Sequence, residues 1–205
     1  MHPNPAFRGE DRARHIAFAR ERGFGTLAVN ADPAPLLSHV PFLLTEDGDT
    51  ADLHLVRSNP IARLGETPAV ISVTGPDGYV SPDWYGTADQ VPTWNYVAVH
   101  LRGRLVPLSP DAMHDMLDRQ SAAYETRLDK TPWTTAKMTP EVLTRMMRQT
   151  LPFRLEIETI DGTWKLGQNK PDDVCRAAAA EVAGGLGHEL PALARLMMNP
   201  EEDPT

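Results

Sequence analysis

Apolar and polar positions change period several times along this chain. Ala13, Ile16, Ala17 and Arg20 recur at helical spacing within residues 8–22, and Gly23 is a natural stop, so the pattern predicts a first helix there. From Phe24 the runs shorten to FGTLAV, ADPAP, LLSHVPFLL, TEDGDT and ADLHLVR, the signature of an antiparallel meander. SNPIARLGE reads as one or two helical turns, PAVISV as a buried strand, and GPDG as a turn into YVSP. After the loop DWYGTADQVP, the segment TWNYVAVHLRGRLVPL predicts a long strand. It carries Tyr96, Ala98, His100 and Arg102 on one face and Val97, Val99 and Leu101 on the other.

The second half opens with two helix starts, Ser109-Pro110-Asp111 and Thr139-Pro140-Glu141. Met113, Met116, Leu117, Gln120 and Tyr124 form a stripe along the first helix and Arg148 ends the second, giving a helical insertion at about 109–149. FRLEIETI alternates as a strand, and Asp161-Gly162 predicts a two-residue hairpin turn before TWKLGQ. C-terminal helices follow at about 171–198, then the acidic tail NPEEDPT. The expected fold class is mainly β (α+β): an antiparallel closed or split β-barrel with peripheral helices, formed as a single domain over 1–205.

Composition narrows the function classes. The balance of 20 basic and 28 acidic residues leaves −8, with no basic cluster dense enough to follow a phosphate backbone, so direct DNA binding is not expected. No apolar run approaches the roughly 18 residues that span a bilayer. The polar N-terminal segment lacks a signal-peptide pattern, and a cytoplasmic protein is expected. One cysteine, Cys175, excludes a disulfide framework and reads as a small buried hydrophobe on an Ala-rich helix. The seven histidines lack metal-site spacing, and no P-loop or G-x-S-x-G elbow is present, so no metal site and no catalytic residue are assigned.

Three segments remain rich in chemistry. Arg57, Ser58 and Asn59 stand at a strand end before a short helix, where guanidinium, hydroxyl and free N–H groups suit a phosphate; an exposed Arg beside a helix cap has the same pattern. Between Tyr79 and Tyr96 lie two of the four Trp and three of the four Tyr. There Trp94 could wall a flat heteroaromatic ligand with Asn95 or Thr93 as hydrogen-bonding partners, or the cluster could be core or dimer interface. At Thr163–Lys170, Lys165 could stabilise the electron-rich edge of a reduced flavin while the amides of Gln168 and Asn169 read ring carbonyls; an edge-strand lysine guarding against aggregation is the alternative.

Taken together, SHVPFLL, HLVRSNP, GYVSPDWY, VPTWNYVAVH and WKLGQNKP, in this order and at these distances, resemble the PaiB family of FMN-binding split-barrel proteins, often labelled negative transcriptional regulators. The resemblance implies a homodimer with two FMN sites at the subunit interface and flavin-dependent oxidoreductase chemistry on a small-molecule substrate. By position it places phosphate contacts at Arg57, Ser58 and Asn59, with His39 on the adjacent strand. Trp94 and Asn95 would meet the flavin across the interface, and Lys165, Gln168 and Asn169 would lie on a closing hairpin. The family commonly has Ser where this chain has Gly167. Two alternatives come with the resemblance. One is haem in place of FMN, as in N–N bond-forming synthases, with His39, His54 or His100 as axial ligand; the other is a non-catalytic FMN-binding regulator.

Overall fold

A computed structural model describes residues 2–9 and 11–202. Its strands are β1 (Phe24–Val29), β2 (Leu36–Leu44), β3 (Thr50–Val56), β4 (Thr67–Val80), β5 (Thr93–Pro107), β6 (Thr150–Lys165) and β7 (Gly187–His188). Its α-helices are α1 (Arg12–Arg22), α2 (Met113–Glu125), α3 (Pro140–Met147), α4 (Asp172–Val182) and α5 (Leu190–Met198). Strand order is β1-β2-β3-β6-β5-β4-β7, and β1 also pairs antiparallel with β4, Thr26 opposite Ser72. The ladder therefore closes into a six-strand antiparallel barrel, with β7 added beside β4. The expected barrel and its peripheral helices are present. The last three residues of the acidic tail, 203–205, lie outside the described residues.

The chain partitions into two compact units. Residues 22–72 and 101–159 form one, which we call the insertion unit because it carries α2 and α3; the described residues within 1–21, 73–100 and 160–202 form the other, the terminal unit.

In the insertion unit, alternation works as the sequence suggests. Phe153 and Leu155 of β6 are fully buried with Leu27, Phe42, Leu53 and Leu101, because successive side chains of a strand point to opposite faces. On the opposite face of the same two strands lies a buried carboxylate. Asp52 on β3 stands directly opposite Arg154 on β6 and accepts hydrogen bonds from Arg154 Nε at 2.7 Å and from Arg119 Nη2 of α2 at 2.9 Å. Burial pushes the Asp52 carboxyl upward in pKa, but hydrogen bonds and charge from the two arginines outweigh it and hold the group below the ordinary value. Tyr124, also on α2, donates its hydroxyl to the Gly23 carbonyl at 2.6 Å.

Two predicted turns do not exist in the terminal unit. GPDG lies inside β4, which runs unbroken from Thr67 to Val80. Asp161-Gly162 lies inside β6, which continues to Lys165, so Lys165, Gln168 and Asn169 are not on a hairpin that begins there. The glycines serve close packing instead of chain reversal. A β-carbon on Gly75 would stand 2.7 Å from Phe18 Cζ, and one on Gly162 would stand 2.0 Å from His15 Cε1. Each absent side chain makes room for a ring from α1. Around those rings, Trp164 is fully buried, donates Nε1 to His15 Nδ1 at 3.1 Å, and meets Phe18 edge to face. Helix α4 buries Cys175, Ala178, Ala179 and Val182, one stripe at helical spacing.

Candidate functional site

The phosphate-type segment belongs to the insertion unit. Past β3, Asn59 caps a 3₁₀ turn at Pro60–Arg63: its Oδ1 accepts the Ile61 N–H at 3.0 Å, and its Nδ2 donates to Ser38 Oγ at 3.1 Å. Both ends of the Asn59 amide are thus engaged by the scaffold. The turn is four residues long, too short to add a substantial helix dipole, so charge at this corner comes from Arg57. Arg57 is exposed and donates Nε to the Arg148 carbonyl at 3.0 Å. Ser58 is exposed beside it. On β2, His39 is exposed and its Nδ1 lies 3.1 Å from Thr26 Oγ1. The structure therefore brings His39 and Asn59 to neighbouring scaffold contacts through Ser38 and β2.

The other candidates gather in the terminal unit. A pocket of about 250 Å³ is lined by Tyr85, Thr93, Asn95, Lys165, Asn169 and Lys170, among others. Lys165 reaches it from the end of β6, hydrogen-bonded to Thr93 Oγ1 and donating to the Trp94 carbonyl at 2.8 Å. Burial, followed by the charge of Lys170, lowers the Lys165 pKa below its ordinary value. Lys170 hydrogen-bonds to Gln90 Oε1 and lies 4.3 Å from the centre of the Tyr85 ring. Tyr85 is 2% exposed, and its hydroxyl is buried with no hydrogen-bond partner. Asn95 is 1% exposed, and its amide nitrogen has the weak acceptor Met197 Sδ at 3.5 Å. No carboxylate is among the described residues lining this pocket. Two cations, an unpartnered phenol and an under-satisfied amide fit an electron-rich group with anionic character.

Gln168 and Trp94 stand outside the lining of this pocket. Gln168 closes its own turn, accepting the Leu166 N–H at 2.8 Å and donating to the Trp164 carbonyl, so its amide is spent locally and does not line the pocket. Trp94 is 45% exposed, pinned by Nε1 donation to Asp77 Oδ1 at 3.0 Å and set edge to face with Tyr79. Its carbonyl, not its ring, anchors the pocket. Gly167 has φ +90°, and a β-carbon there would stand 3.0 Å from Cys175 Sγ, so both backbone conformation and space favour glycine. Cys175 donates to the Leu166 and Met197 carbonyls at 3.3 and 3.4 Å. Burial, then the nearby Asp172 charge, pushes its thiol pKa up.

Tyr85 and Lys170 were not singled out from the sequence. The repeated Lys flanking LGQN was the available signal for Lys170; for Tyr85 the signal was only membership of the aromatic segment. Of the haem-ligand candidates besides His39, His54 is half-buried on β3 and His100 half-buried on β5. Among the described residues no group of three or more His, Cys, Asp or Glu could hold a metal ion, and no helix is long and apolar enough to cross a membrane.

A closed antiparallel barrel with these helices has the split-barrel fold. Residues 1–159 match the family model described as "Putative FMN-binding domain". Over 157 residues, 75% of each protein, the chain is 30% identical to Protease synthase and sporulation protein PAI 2 of Bacillus subtilis (strain 168). The chain belongs to this PaiB family of FMN-binding proteins. Among solved structures, the FAD and haem binding protein from Mycobacterium smegmatis aligns with TM-score 0.58 and 22% identity over 88% of this chain and 81% of that one. The flavocytochrome Anf3 from Azotobacter vinelandii gives 0.55 and 12% over 80% and 72%. At these identities the likeness is one of fold. Lys165, Asn169 and Lys170 lie beyond the stretch that matches the family model, so their assignment rests on the geometry of the terminal unit.

Proposed function

We propose that the protein is an FMN-binding homodimer that acts as a flavin-dependent oxidoreductase on a small molecule. The observation that carries this is the pocket of the terminal unit, which Lys165 and Lys170 line together with Tyr85, whose buried hydroxyl has no hydrogen-bond partner, and with no carboxylate among the described lining residues. FMN, when bound, supplies the hydride or electron transfer, and the protein supplies binding and electrostatics. Lys165 and Lys170 favour negative charge in the pocket, Tyr85 and Asn95 offer donors to ring oxygen or nitrogen, and burial keeps water from competing with them. Arg57 and Ser58 are the phosphate contacts this reading assigns in the insertion unit, with Asn59 holding their turn in place and His39 beside it.

The purified protein, incubated with FMN and desalted, is expected to retain a yellow chromophore absorbing at about 450 nm. A Soret band at about 400 nm would move the cofactor to haem. Oxidation of NADH or NADPH by the FMN-loaded protein in the presence of an electron acceptor, faster than by free FMN, distinguishes an enzyme from a non-catalytic binding module. Exposed Val91 and Trp94 supply apolar surface that a second copy would cover. Light scattering is expected to give about 45 kDa, twice the 22.6 kDa chain.

A further inference from the structure

Residues 2–7 add a wall to the pocket of the terminal unit. Asn4 caps the 3₁₀ turn Pro5–Phe7, its Oδ1 accepting the Ala6 N–H at 3.0 Å, and Phe7 is buried. His2, Asn4 and Phe7 line the same pocket as Lys165 and Asn169. Nothing in the spacing of the seven histidines along the sequence sets His2 apart. Its contacts do.

The His2 main-chain N–H donates to Thr163 Oγ1 at 3.3 Å, two residues before Lys165 on β6. The ring Nδ1 accepts the Asn4 N–H at 3.1 Å, and the ring meets Phe7 edge to face with centroids 4.8 Å apart. A backbone N–H can only donate, so Nδ1 is an acceptor here and this tautomer carries its proton on Nε2. Holding the segment in place thus uses the main chain, Nδ1 and the contact with Phe7. It leaves the Nε2–H without a hydrogen-bond partner among the described residues. In the lining it joins the Tyr85 hydroxyl, which is likewise unpartnered.

We infer that His2 is a cofactor-binding residue, its Nε2–H donating to an acceptor atom of the bound isoalloxazine ring. The inference rests on the flavin reading of this pocket and adds a residue to it. Lys165 and Lys170 supply charge there, whereas His2 supplies an uncharged, directional donor. Its tautomer and ring position are already set by Asn4 and Phe7, so binding has little left to order. The phosphate is assigned to Arg57 and Ser58 of the insertion unit. His2 therefore acts on the ring portion of the cofactor, and FMN and riboflavin respond to it alike.

The test measures FMN and riboflavin affinity by fluorescence quenching in the full chain and two variants. His2→Asn keeps an acceptor for the Asn4 N–H and lacks the second nitrogen; His2→Phe keeps a ring against Phe7 and lacks both. Each is expected to weaken FMN and riboflavin by the same factor, about fivefold. In parent protein carrying nitrogen-15 histidine, the His2 Nε2 resonance, assigned by its loss in His2→Asn, is expected to move when either flavin is added, while that of exposed His114 stays in place. The inference is overturned if the parent binds FMN and the His2 resonance does not move. It is also overturned if His2→Asn binds like the parent while His2→Phe does not, since His2 would then only support the segment through Nδ1. A loss for FMN without a loss for riboflavin overturns it too, by placing His2 at the phosphate. A parent that retains neither flavin overturns the flavin reading itself, and this inference with it.

Discussion

The Lys165 ammonium donates to the Trp94 carbonyl at 2.8 Å and so ties the end of β6 to the start of β5. A lysine that served only to discourage edge pairing would extend into water; this one is half-buried, and its pKa is lowered first by that burial and then by Lys170. A cation held in this way disfavours the absence of a negative charge nearby. If the proposed function holds, its charge would act on the redox state of a bound flavin more than on its affinity.

Lys165→Met keeps the aliphatic stem and removes the charge. The variant is expected to bind oxidised FMN within about threefold of the parent but to show a midpoint potential lower by 20 mV or more, since about 30 mV corresponds to 1.4 kcal/mol for a two-electron couple. Spectroelectrochemical titration reads it. An unchanged midpoint would remove Lys165 from the site.

Arg57→Ala is expected to separate FMN from riboflavin. A charged hydrogen bond to phosphate contributes about 1.5–3 kcal/mol, so FMN affinity should fall about tenfold or more while riboflavin affinity holds. Fluorescence quenching measures both. Equal losses would mean that Arg57 acts through its contact with the Arg148 carbonyl and the fold.

Asp52 links stability to pH. Its carboxyl has a lowered pKa in the folded protein, so the stabilisation is present above the unfolded-state value of about 3.9 and is lost as pH falls through the lower folded value. Acid denaturation should therefore have a component below about pH 4 that Asp52→Asn lacks. At pH 7 the same variant should lose about 2 kcal/mol in urea unfolding, the size of charged hydrogen bonds discounted for two arginines that are both more than a third exposed.

Gly162→Ala drives a methyl into the His15 ring and is expected to cost at least about 1–3 kcal/mol. That lowers the melting temperature by about 2–4 °C for each kcal/mol in a chain of this length. Gly9→Ala, where a β-carbon meets nothing within 4 Å, is the control and should melt with the parent. If Gly162→Ala is neutral, the close approach to His15 has another way to relax.

Much of this was legible in the residues. The alternation of Phe153 and Leu155, and of Val97, Val99 and Leu101, was enough to orient β6 and β5, because one face of each strand is buried and the other is not. Asp161-Gly162 and Gly75-Pro-Asp-Gly78 misled for one reason: glycine serves both chain reversal and close approach, and only the position of His15 or Phe18 tells which. For the pocket, residue types singled out Asn95, Lys165 and Asn169 but set Asn95 across a subunit interface from the other two, whereas all three line one pocket of a single chain. They could not show that Gln168 would spend its amide on its own turn, nor that the Tyr85 hydroxyl would be left without a partner, because satisfaction of a polar atom is a property of three-dimensional neighbours.

The burial of Cys175 has a practical side. A thiol enclosed by the Leu166 and Met197 carbonyls, with its pKa raised, is poorly reactive toward alkylating reagents, so the native chain is close to silent in thiol chemistry. A cysteine introduced at Val91, which is 72% exposed and borders the pocket of the terminal unit, would then take a spin label or fluorophore as a single tag. Its emission or relaxation would report what enters that pocket without a background from the rest of the molecule.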